Sequence, residues 1–425
     1  MEKITSKTYC KFPFIHICSL PDGTTKPCGI ADPFDERMNM NDYTIEEIYN
    51  SKQMKQLRKD MLEGKRNKVC EVCYKKDDRG EYSPRQFYND NHLWSHPEVN
   101  EDYSVDSIQH FDIRFSNLCN FTCRMCDHGS SSNWYDAHEI FGWPKPASKV
   151  IKLRDSILDD LIPHLKNIRS FYFAGGEPLI MPEHNVIIKW LYNNLPIDEA
   201  HGCRQLRLHY NTNLSILKFE NTDLIEMWKG FKKVFLSISC DGIGEVGEYQ
   251  RTGWKHDVFV DNMKTIQKHF GASTTRRGDR GMTNELSYNF QYTTTIWNIH
   301  HIFEFIKFMR DNKFIKNTEN IDFYYAWSPD YASINNLEPK VKEEMRALFK
   351  KNMRYIKSEK TKSELNSILA FMDTKSTAKP KYIKDCMQKM DILRAPLERV
   401  REEAIPTEEV FPTIVEEPKN IVKLI

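Results

Sequence analysis

Strand-like and helix-like segments alternate six times along the middle of the chain. The strand-like runs are short and rich in aromatic and aliphatic residues, and they lie near 111–115, 169–173, 206–211, 233–239, 288–295 and 321–327. Helical patterns lie near 150–162, 183–194, 222–230, 256–270, 300–312 and 338–357. Six strand–helix units predict an α/β fold with a parallel sheet covered by helices. Periodicity alone does not decide whether this sheet stays open or curls into part of a barrel.

A hairpin and a helix are predicted ahead of this core. The hairpin-like stretch 14–27 contains an Asp22-Gly23 turn, and Asp-Gly supplies the positive φ that tight hairpins need. From Thr44 to about Gly64 the pattern predicts a helix, with a capping box of Thr44 and Glu47 and a glycine at its end. The hairpin brings its two ends together, and the helix returns the chain toward them.

Four cysteines stand at these junctions. Cys10 and Cys28 flank the hairpin, and Cys70 and Cys73 form a Cys-x-x-Cys knuckle after the helix. Cys18 is the alternative to Cys10 as the first cysteine of this set. Four thiolates can fully ligate a zinc ion or a four-cysteine iron–sulfur cluster, and the residues alone leave both open.

A second set, Cys119, Cys123 and Cys126, follows the first core strand at spacings of four and three. Three thiolates leave one corner of a metal centre without a protein ligand, and an open corner allows chemistry. The spacing fits one face of a helix or a short loop folded around an inorganic centre. The alternative is a structural zinc site that takes His128 as its fourth ligand.

The sequence Cys119-Asn120-Phe121-Thr122-Cys123-Arg124-Met125-Cys126 resembles the C-x3-C-x2-C signature of radical S-adenosylmethionine (SAM) enzymes. About 50 residues later, the run from Phe171 to Pro178 resembles the family's second strand and its Gly-Gly-Glu-Pro turn. The resemblance implies that the three cysteines hold a catalytic [4Fe-4S] cluster, and that Gly175, Gly176 and Glu177 bind the amino group of SAM. Glycines permit close approach to a ligand, and a carboxylate accepts hydrogen bonds from an ammonium.

Weaker matches follow in the order that the family implies. Asn213 ends a segment that resembles the third strand, and Ser239 and Asp241 end one that resembles the fourth. The resemblance places Asn213 at the cofactor, Ser239 and Asp241 near the ribose of SAM, and Arg251 near its carboxylate. The structural alternatives are that a Ser or Asp at a strand end caps the next helix, and that an Arg is a solvated surface charge.

The resemblance covers about residues 108–330 and favours an incomplete six-stranded (β/α)6 barrel. Cys10, Gly23 and Cys28 have the spacing that begins the "twitch" pattern, the shortened SPASM-like module that carries an auxiliary cluster in this superfamily. The chain therefore resembles an amino-terminal-twitch subgroup, which implies a second, auxiliary [4Fe-4S] cluster at Cys10, Cys28, Cys70 and Cys73 rather than zinc.

Charge and composition narrow the class of partner. Among 425 residues, Lys plus Arg number 61 and Asp plus Glu number 60, so no global charge attracts nucleic acid or an anionic membrane. The first residues lack the apolar core of a signal peptide, and no run of eighteen apolar residues occurs, which predicts a cytoplasmic protein. Eleven cysteines in such a chain indicate metal or redox use rather than disulfides.

Three domains are predicted: an amino-terminal auxiliary-cluster domain with a connector at 1–106, the core at 107–330, and a helical extension with a Glu- and Pro-rich tail at 331–425. The expected activity is reductive cleavage of SAM followed by hydrogen abstraction from a peptide or protein. A small metabolite or nucleotide sugar is the alternative substrate, and an electron donor such as flavodoxin or ferredoxin is the expected partner. The alternatives from other classes are a non-catalytic zinc protein and an electron-transfer iron–sulfur protein.

Overall fold

The chain divides into two structural units in a computed structural model, which describes residues 6–376 except 92 and 272–284, and beyond them residues 379, 381–386, 388 and 389. The first unit comprises residues up to 118, 150–211 and 226–234. The second comprises 119–149, 212–225 and residues from 235 onward. The predicted tail of the chain lies outside the described residues, and the three predicted domain boundaries stay a prediction.

Twelve strands and thirteen α-helices lie between residues 6 and 376 in the described chain. The strands are β1 His16–Ser19, β2 Thr25–Lys26, β3 His110–Ile113, β4 Thr122–Cys123, β5 Ser170–Phe173, β6 Arg204–Thr212, β7 Lys218–Phe219, β8 Thr222–Asp223, β9 Phe231–Ser239, β10 Arg251–Thr252, β11 Glu285–Thr294 and β12 Ile321–Tyr325. The helices are α1 Ile45–Tyr49, α2 Lys52–Leu62, α3 Glu71–Asp78, α4 Pro84–Asp90, α5 Ala137–Phe141, α6 Ile157–Leu161, α7 Pro182–Asn194, α8 Leu224–Lys229, α9 Gly244–Gln250, α10 His256–Phe270, α11 Ile302–Asp311, α12 Pro339–Met353 and α13 Glu359–Met372.

The first unit is built on strands in the order β6-β5-β3-β1-β2. β3 pairs in parallel with β5, and β5 pairs in parallel with β6. Phe111 stacks on Phe171, and Phe171 stacks on Phe173, with ring centroids 5.7 and 4.2 Å apart. This aromatic layer is buried, and it is the apolar face that the strand pattern predicts.

β1 is the part of this sheet that the sequence does not reveal. It pairs antiparallel with β2, as the predicted hairpin requires, but it also pairs in parallel with β3, where Cys18 lies opposite Asp112. The hairpin is therefore an extension of the main sheet. All four residues of β1 are buried, so no alternation of polar and apolar positions marks it as an edge strand.

In the second unit, the carboxyl-terminal half of β9 is followed in sheet order by β11 and β12. β11 and β12 pair in parallel from Phe290 opposite Ile321 to Thr294 opposite Tyr325. In each unit the core strands follow one another in chain order, whereas a doubly wound sheet reverses its order at a switch point. The α/β fold with a parallel sheet and six core strands is as predicted.

Two predicted helices differ from the observed ones. The helix predicted from Thr44 to Gly64 is two helices, α1 and α2, because Ser51 caps a second start by accepting a hydrogen bond from the amide of Met54. The Thr44–Glu47 capping box is present at the start of α1. The helix predicted near 150–162 begins only at Ile157, and the chain before it forms an isolated bridge between Lys152 and Ser116. The cap at Ser51 divides the first predicted helix, and the bridge at Lys152 delays the start of the second.

No helix in the described part of the chain combines the length and the apolar composition that a membrane span requires.

His184 on α7 gives the first unit a testable pH dependence. Its side chain is 1% exposed, its Nε2 lies 3.1 Å from the Tyr210 hydroxyl, and burial lowers its pKa to about 3. Between that pKa and the unfolded value of about 6.5, the unfolded chain binds a proton that the folded chain does not. Stability therefore falls as the pH falls, by about 2 kcal/mol from pH 6.5 to 5 for this one group.

The substitution His184→Gln should remove this share of the pH dependence, measured as the difference in unfolding free energy between pH 6.5 and 5 in urea. His269→Gln changes an exposed histidine in α10 and should keep the wild-type pH slope. Equal slopes for wild type and His184→Gln would contradict the assignment.

Candidate active site and auxiliary cluster site

The loop that carries Cys119, Cys123 and Cys126 is anchored by a short strand pair. β4 pairs antiparallel with β10, so that Cys123 lies opposite Arg251 and Thr122 opposite Thr252. Ser132 accepts a hydrogen bond from the amide of Cys119 at 3.3 Å. Of the two forms that the spacing allows, the observed one is the loop.

Arg124 anchors this loop to Tyr249. Its side chain is 2% exposed, its Nε donates to the Tyr249 carbonyl at 2.9 Å, and its guanidinium lies 3.7 Å from the centroid of the Tyr249 ring. Trp134 donates from its indole nitrogen to the Cys123 carbonyl at 3.2 Å. Sequence reasoning missed both residues, although an arginine between two cysteines of the three-thiol motif was a visible signal.

The three thiols stand in a buried environment that disfavours free thiolates. Burial raises the pKa of Cys123 to about 12 and raises that of Cys126 further, and the neighbouring thiols add to both shifts. Arg251 opposes the shift at Cys123, because its Nη1 donates to Sγ at 3.6 Å. A bound metal would supply the positive charge that thiolates at this place require.

His128, the fourth ligand of the zinc alternative, has other contacts. Its Nε2 lies 3.0 Å from the Lys149 carbonyl, and its ring packs 5.7 Å from that of Tyr135. In the described chain, no three ligand atoms of Cys119, Cys123, Cys126 and His128 lie within 4.8 Å of one another. Sulfur ligands of a tetrahedral zinc ion lie about 3.8 Å apart.

Asn213 ties the end of the third core strand to this loop. Its side-chain amide donates to the Asn120 side chain at 3.0 Å, and its carbonyl oxygen accepts from the amide of Ser215 at 2.9 Å. Asn120 in turn donates to the Ser215 hydroxyl at 3.0 Å. Ser239 is half-buried at the end of β9.

Asp241 and Arg251 form a buried ion pair beside the cysteine loop. Arg251 Nε lies 2.6 Å from Asp241 Oδ2, and the Asp241 side chain is completely buried. Asp241 Oδ1 accepts from the amide of Thr293 at 2.7 Å. Burial by itself lowers the pKa of Arg251, but the Asp241 carboxylate together with Cys123 and Cys240 outweighs it and raises that pKa. The arginine thus stays charged next to Cys123.

The Gly175-Gly176-Glu177 turn belongs to the first unit, where it packs on the segment just before Cys119. Gly175 has φ 124°, and a Cβ at Gly176 would lie 2.1 Å from the Leu118 carbonyl oxygen. The amide of Glu177 donates to that same oxygen at 2.8 Å. The Glu177 carboxylate is buried and accepts from the amide of Leu179 at 3.1 Å. Only glycine fits at these two positions.

Loss of the Asp241 charge should destabilise the second unit. The substitution Asp241→Asn leaves Arg251 charged and buried without its carboxylate, which costs about 3–5 kcal/mol when one partner of a buried pair is removed. The expected result is a lower unfolding midpoint in denaturant. The double variant Asp241→Asn with Arg251→Gln should recover part of this loss, and a double variant as unstable as the sum of the single ones would contradict the pairing.

The amino-terminal thiols meet in the first unit. Cys10, Cys28, Cys70 and Cys73 line one cavity, beside Arg85. Burial raises the pKa of Cys28 to about 11 and that of Cys70 to about 12, and it raises that of Cys10 well above its usual range. The other three thiols add to the shift at Cys10, which places all four within electrostatic reach.

Cys18 has a different environment from these four. Its Sγ donates to Asp112 Oδ2 at 3.3 Å, and burial and Asp112 raise its pKa more than Cys28, one of those four thiols, does. No three of the four cavity sulfurs lie within 4.8 Å of one another in the described chain, which is wider than the spacing in a zinc site. A polynuclear cluster binds each thiolate through a different metal atom and suits a wider set.

The segment that forms the four-thiol cavity matches a known domain family. Residues 10–74 match the model of the SPASM iron–sulfur cluster-binding domain. The match begins at Cys10 and ends one residue after Cys73, so it contains all four cavity thiols. It confirms the recognition of a SPASM-like auxiliary iron–sulfur domain at the amino-terminal end, while the assignment of its individual ligands stays a prediction.

No curated protein matches the chain. Among solved structures, the chain is similar to anSMEcpe with bound AdoMet and a Cp18Cys peptide, with 16% identity, a TM-score of 0.35 and 56% of each chain covered. It is also similar to SuiB from Streptococcus suis bound to its precursor peptide SuiA, with 14% identity, a TM-score of 0.35, and 68% of this chain and 59% of that chain covered. The similarity spans little more than half the length of these structures.

Proposed function

We propose that the chain is a radical SAM enzyme with a catalytic [4Fe-4S] cluster at Cys119, Cys123 and Cys126 and an auxiliary cluster at Cys10, Cys28, Cys70 and Cys73. The observation that carries the proposal is the three-thiol loop, which is held by β4 and β10 beside a charged arginine. The SPASM-type match of residues 10–74 supports the second cluster. When bound, the catalytic cluster with SAM supplies reductive cleavage to methionine and a 5′-deoxyadenosyl radical.

The described residues fit such a cofactor. Three thiols on one short loop provide a soft donor set with one position left for SAM. The two glycines before Glu177 make a backbone turn that a Cβ would obstruct, and close backbone approach is what binding of a small cofactor needs. Buried Glu177 provides a carboxylate for an ammonium group.

In this proposal, the residues around the cysteine loop hold its backbone in place and keep water away from it. Arg124 and Trp134 fix the backbone of the cysteine loop, and Arg251 offsets the negative charge of the Cys123 thiolate. In the role proposed for it, Asn213 holds the loop near the end of the third strand through Asn120. An apolar cluster that includes Trp134, Phe141 and Tyr331 packs around Met125 and Cys126 and excludes water from that side.

We propose a peptide or protein as the substrate, because auxiliary-cluster modules accompany such reactions among the enzymes that the chain resembles. The auxiliary cluster would accept an electron from the substrate radical or bind the substrate. A small metabolite or nucleotide sugar is the alternative, and a flavodoxin or ferredoxin is the proposed electron donor.

Anaerobic reconstitution tests the proposal. The expected product is a brown protein with about eight iron atoms per chain, two four-iron clusters, that releases 5′-deoxyadenosine when SAM and dithionite are added. A colourless protein that contains zinc would favour the structural zinc alternative. A brown protein that releases no 5′-deoxyadenosine would favour the electron-transfer alternative, and either outcome would overturn the proposal.

A further inference from the structure

His16, Cys18 and Asp112 form a second group of potential metal ligands in the first unit. His16 and Cys18 are two residues apart on β1, so they point to the same face of the sheet. Asp112 lies directly opposite Cys18 on the parallel neighbour β3. One ligand atom from each of the three side chains lies within 4.8 Å of the other two.

The group is buried and has unused polar atoms. His16 and Cys18 are 0% exposed, and Asp112 is 5% exposed. Neither His16 Nε2 nor Asp112 Oδ1 has a hydrogen-bond partner. Buried polar atoms in folded proteins are nearly always paired, so two unpaired polar atoms in one buried group indicate a missing ligand.

The contacts of His16 select the form of the ring that binds metals. Its Nδ1 lies 3.3 Å from the Pro27 carbonyl oxygen, which can only accept a hydrogen bond. Nδ1 therefore carries the proton, and Nε2 presents its lone pair. A metal-bound histidine commonly donates its other N–H to a carbonyl in this way, which fixes the ring orientation.

The charges around the group suit a divalent cation. Cys18 Sγ and Asp112 Oδ2 are 3.3 Å apart and share a proton that a metal would displace, leaving two negative ligands. Arg114 Nε, 3.9 Å from Asp112 Oδ1, and Lys26 partly offset the charge of the Asp112 carboxylate, and the attraction of both negative ligands for the metal ion has to exceed this effect. One thiolate, one imidazole and one carboxylate form a borderline-soft set that fits Zn²⁺ or Fe²⁺.

We propose that His16, Cys18 and Asp112 bind one borderline divalent metal ion, with zinc as the representative, in a mononuclear site separate from both cysteine cavities. Three protein ligands leave a tetrahedral ion one exchangeable position, which is the arrangement of zinc sites that bind a substrate or water. Gly29 lies beside this site, because a Cβ there would be 3.3 Å from Asp112 Oδ2. A side chain at this position would crowd that oxygen.

Zinc binding to the reconstituted iron–sulfur protein tests the site. One equivalent of Zn²⁺ should bind per chain, and X-ray absorption at the zinc edge should report one sulfur at about 2.3 Å with nitrogen and oxygen ligands at about 2.0–2.2 Å. A zinc ion with three or four sulfur ligands would lie in a cysteine cavity and would overturn the proposal. So would the absence of stoichiometric binding.

Two variants extend the test. Loss of an outer-shell partner already costs about 10–100-fold in metal affinity, so His16→Gln and Asp112→Asn should each weaken zinc binding at least about 10-fold. His184→Gln is the matched control, because His184 is a buried histidine of the same unit that contacts Tyr210 instead. It should retain wild-type affinity. Unchanged affinity in His16→Gln would contradict the site, and the measurement on the wild-type protein stands even where a variant folds poorly.

Discussion

The substitution Cys126→Ala is expected to reduce release of 5′-deoxyadenosine to the background measured without protein. Removal of one of three thiolates would leave the proposed catalytic cluster without a full set of protein ligands, so SAM would have no intact iron site to bind. Iron content should fall by about four atoms per chain, with the auxiliary cluster retained. The measurement is chromatographic detection of 5′-deoxyadenosine after anaerobic incubation with SAM and dithionite.

Cys203→Ala provides the matched control. Cys203 is a completely buried thiol outside both cysteine sets, and its replacement makes the same chemical change. This variant should keep wild-type iron content and SAM cleavage. If Cys126→Ala cleaved SAM at the wild-type rate, the three-thiol loop would not be the catalytic cluster site.

The substitution Cys73→Ala should separate SAM cleavage from product formation. It removes one ligand of the auxiliary cavity and leaves the loop of Cys119, Cys123 and Cys126 intact. Iron should again fall by about four atoms per chain, but abortive cleavage of SAM should continue. Product formation should stop, because the auxiliary cluster proposed at this cavity could then neither accept the electron nor bind the substrate.

The readouts are iron content, 5′-deoxyadenosine and the mass of a candidate peptide after turnover. Equal loss of SAM cleavage in Cys73→Ala and Cys126→Ala would argue against separate roles for the two sites. Cys18→Ala is a useful comparison, because Cys18 contacts Asp112 and does not line the four-thiol cavity. It should keep both the iron content and SAM cleavage.

The positions of the core strands could be predicted because their signal is local. β11 and β12 lie where the apolar runs near 288–295 and 321–327 place them, and α10 has its predicted bounds of 256–270. A buried strand has a continuous apolar run of a few residues, which any window of the sequence reveals. The parallel pairing of β1 with β3 joins residues 94 positions apart, and no local pattern encodes it.

Some features of the candidate site likewise have a local signal in the sequence, whereas others depend on contacts between distant segments. The cysteine spacing and the two glycines before Glu177 are visible in the sequence, since each depends on neighbouring residues. The ion pair of Asp241 and Arg251 and the contact of Arg251 with Cys123 depend on how separate segments pack. The sequence resemblance places this arginine near the carboxylate of SAM, and in the structure it also neutralises a buried aspartate.

The sequence by itself determined the α/β class, the order of the core strands along the chain, and the two sets of thiols that can hold metal. Only the tertiary structure decided which thiols share a cavity, and it joined Cys18 to His16 and Asp112 instead. The physical reason is that residue type and spacing fix what a side chain can bind. Its burial, charge and partners come from segments that are distant in the chain, and these select what it does bind.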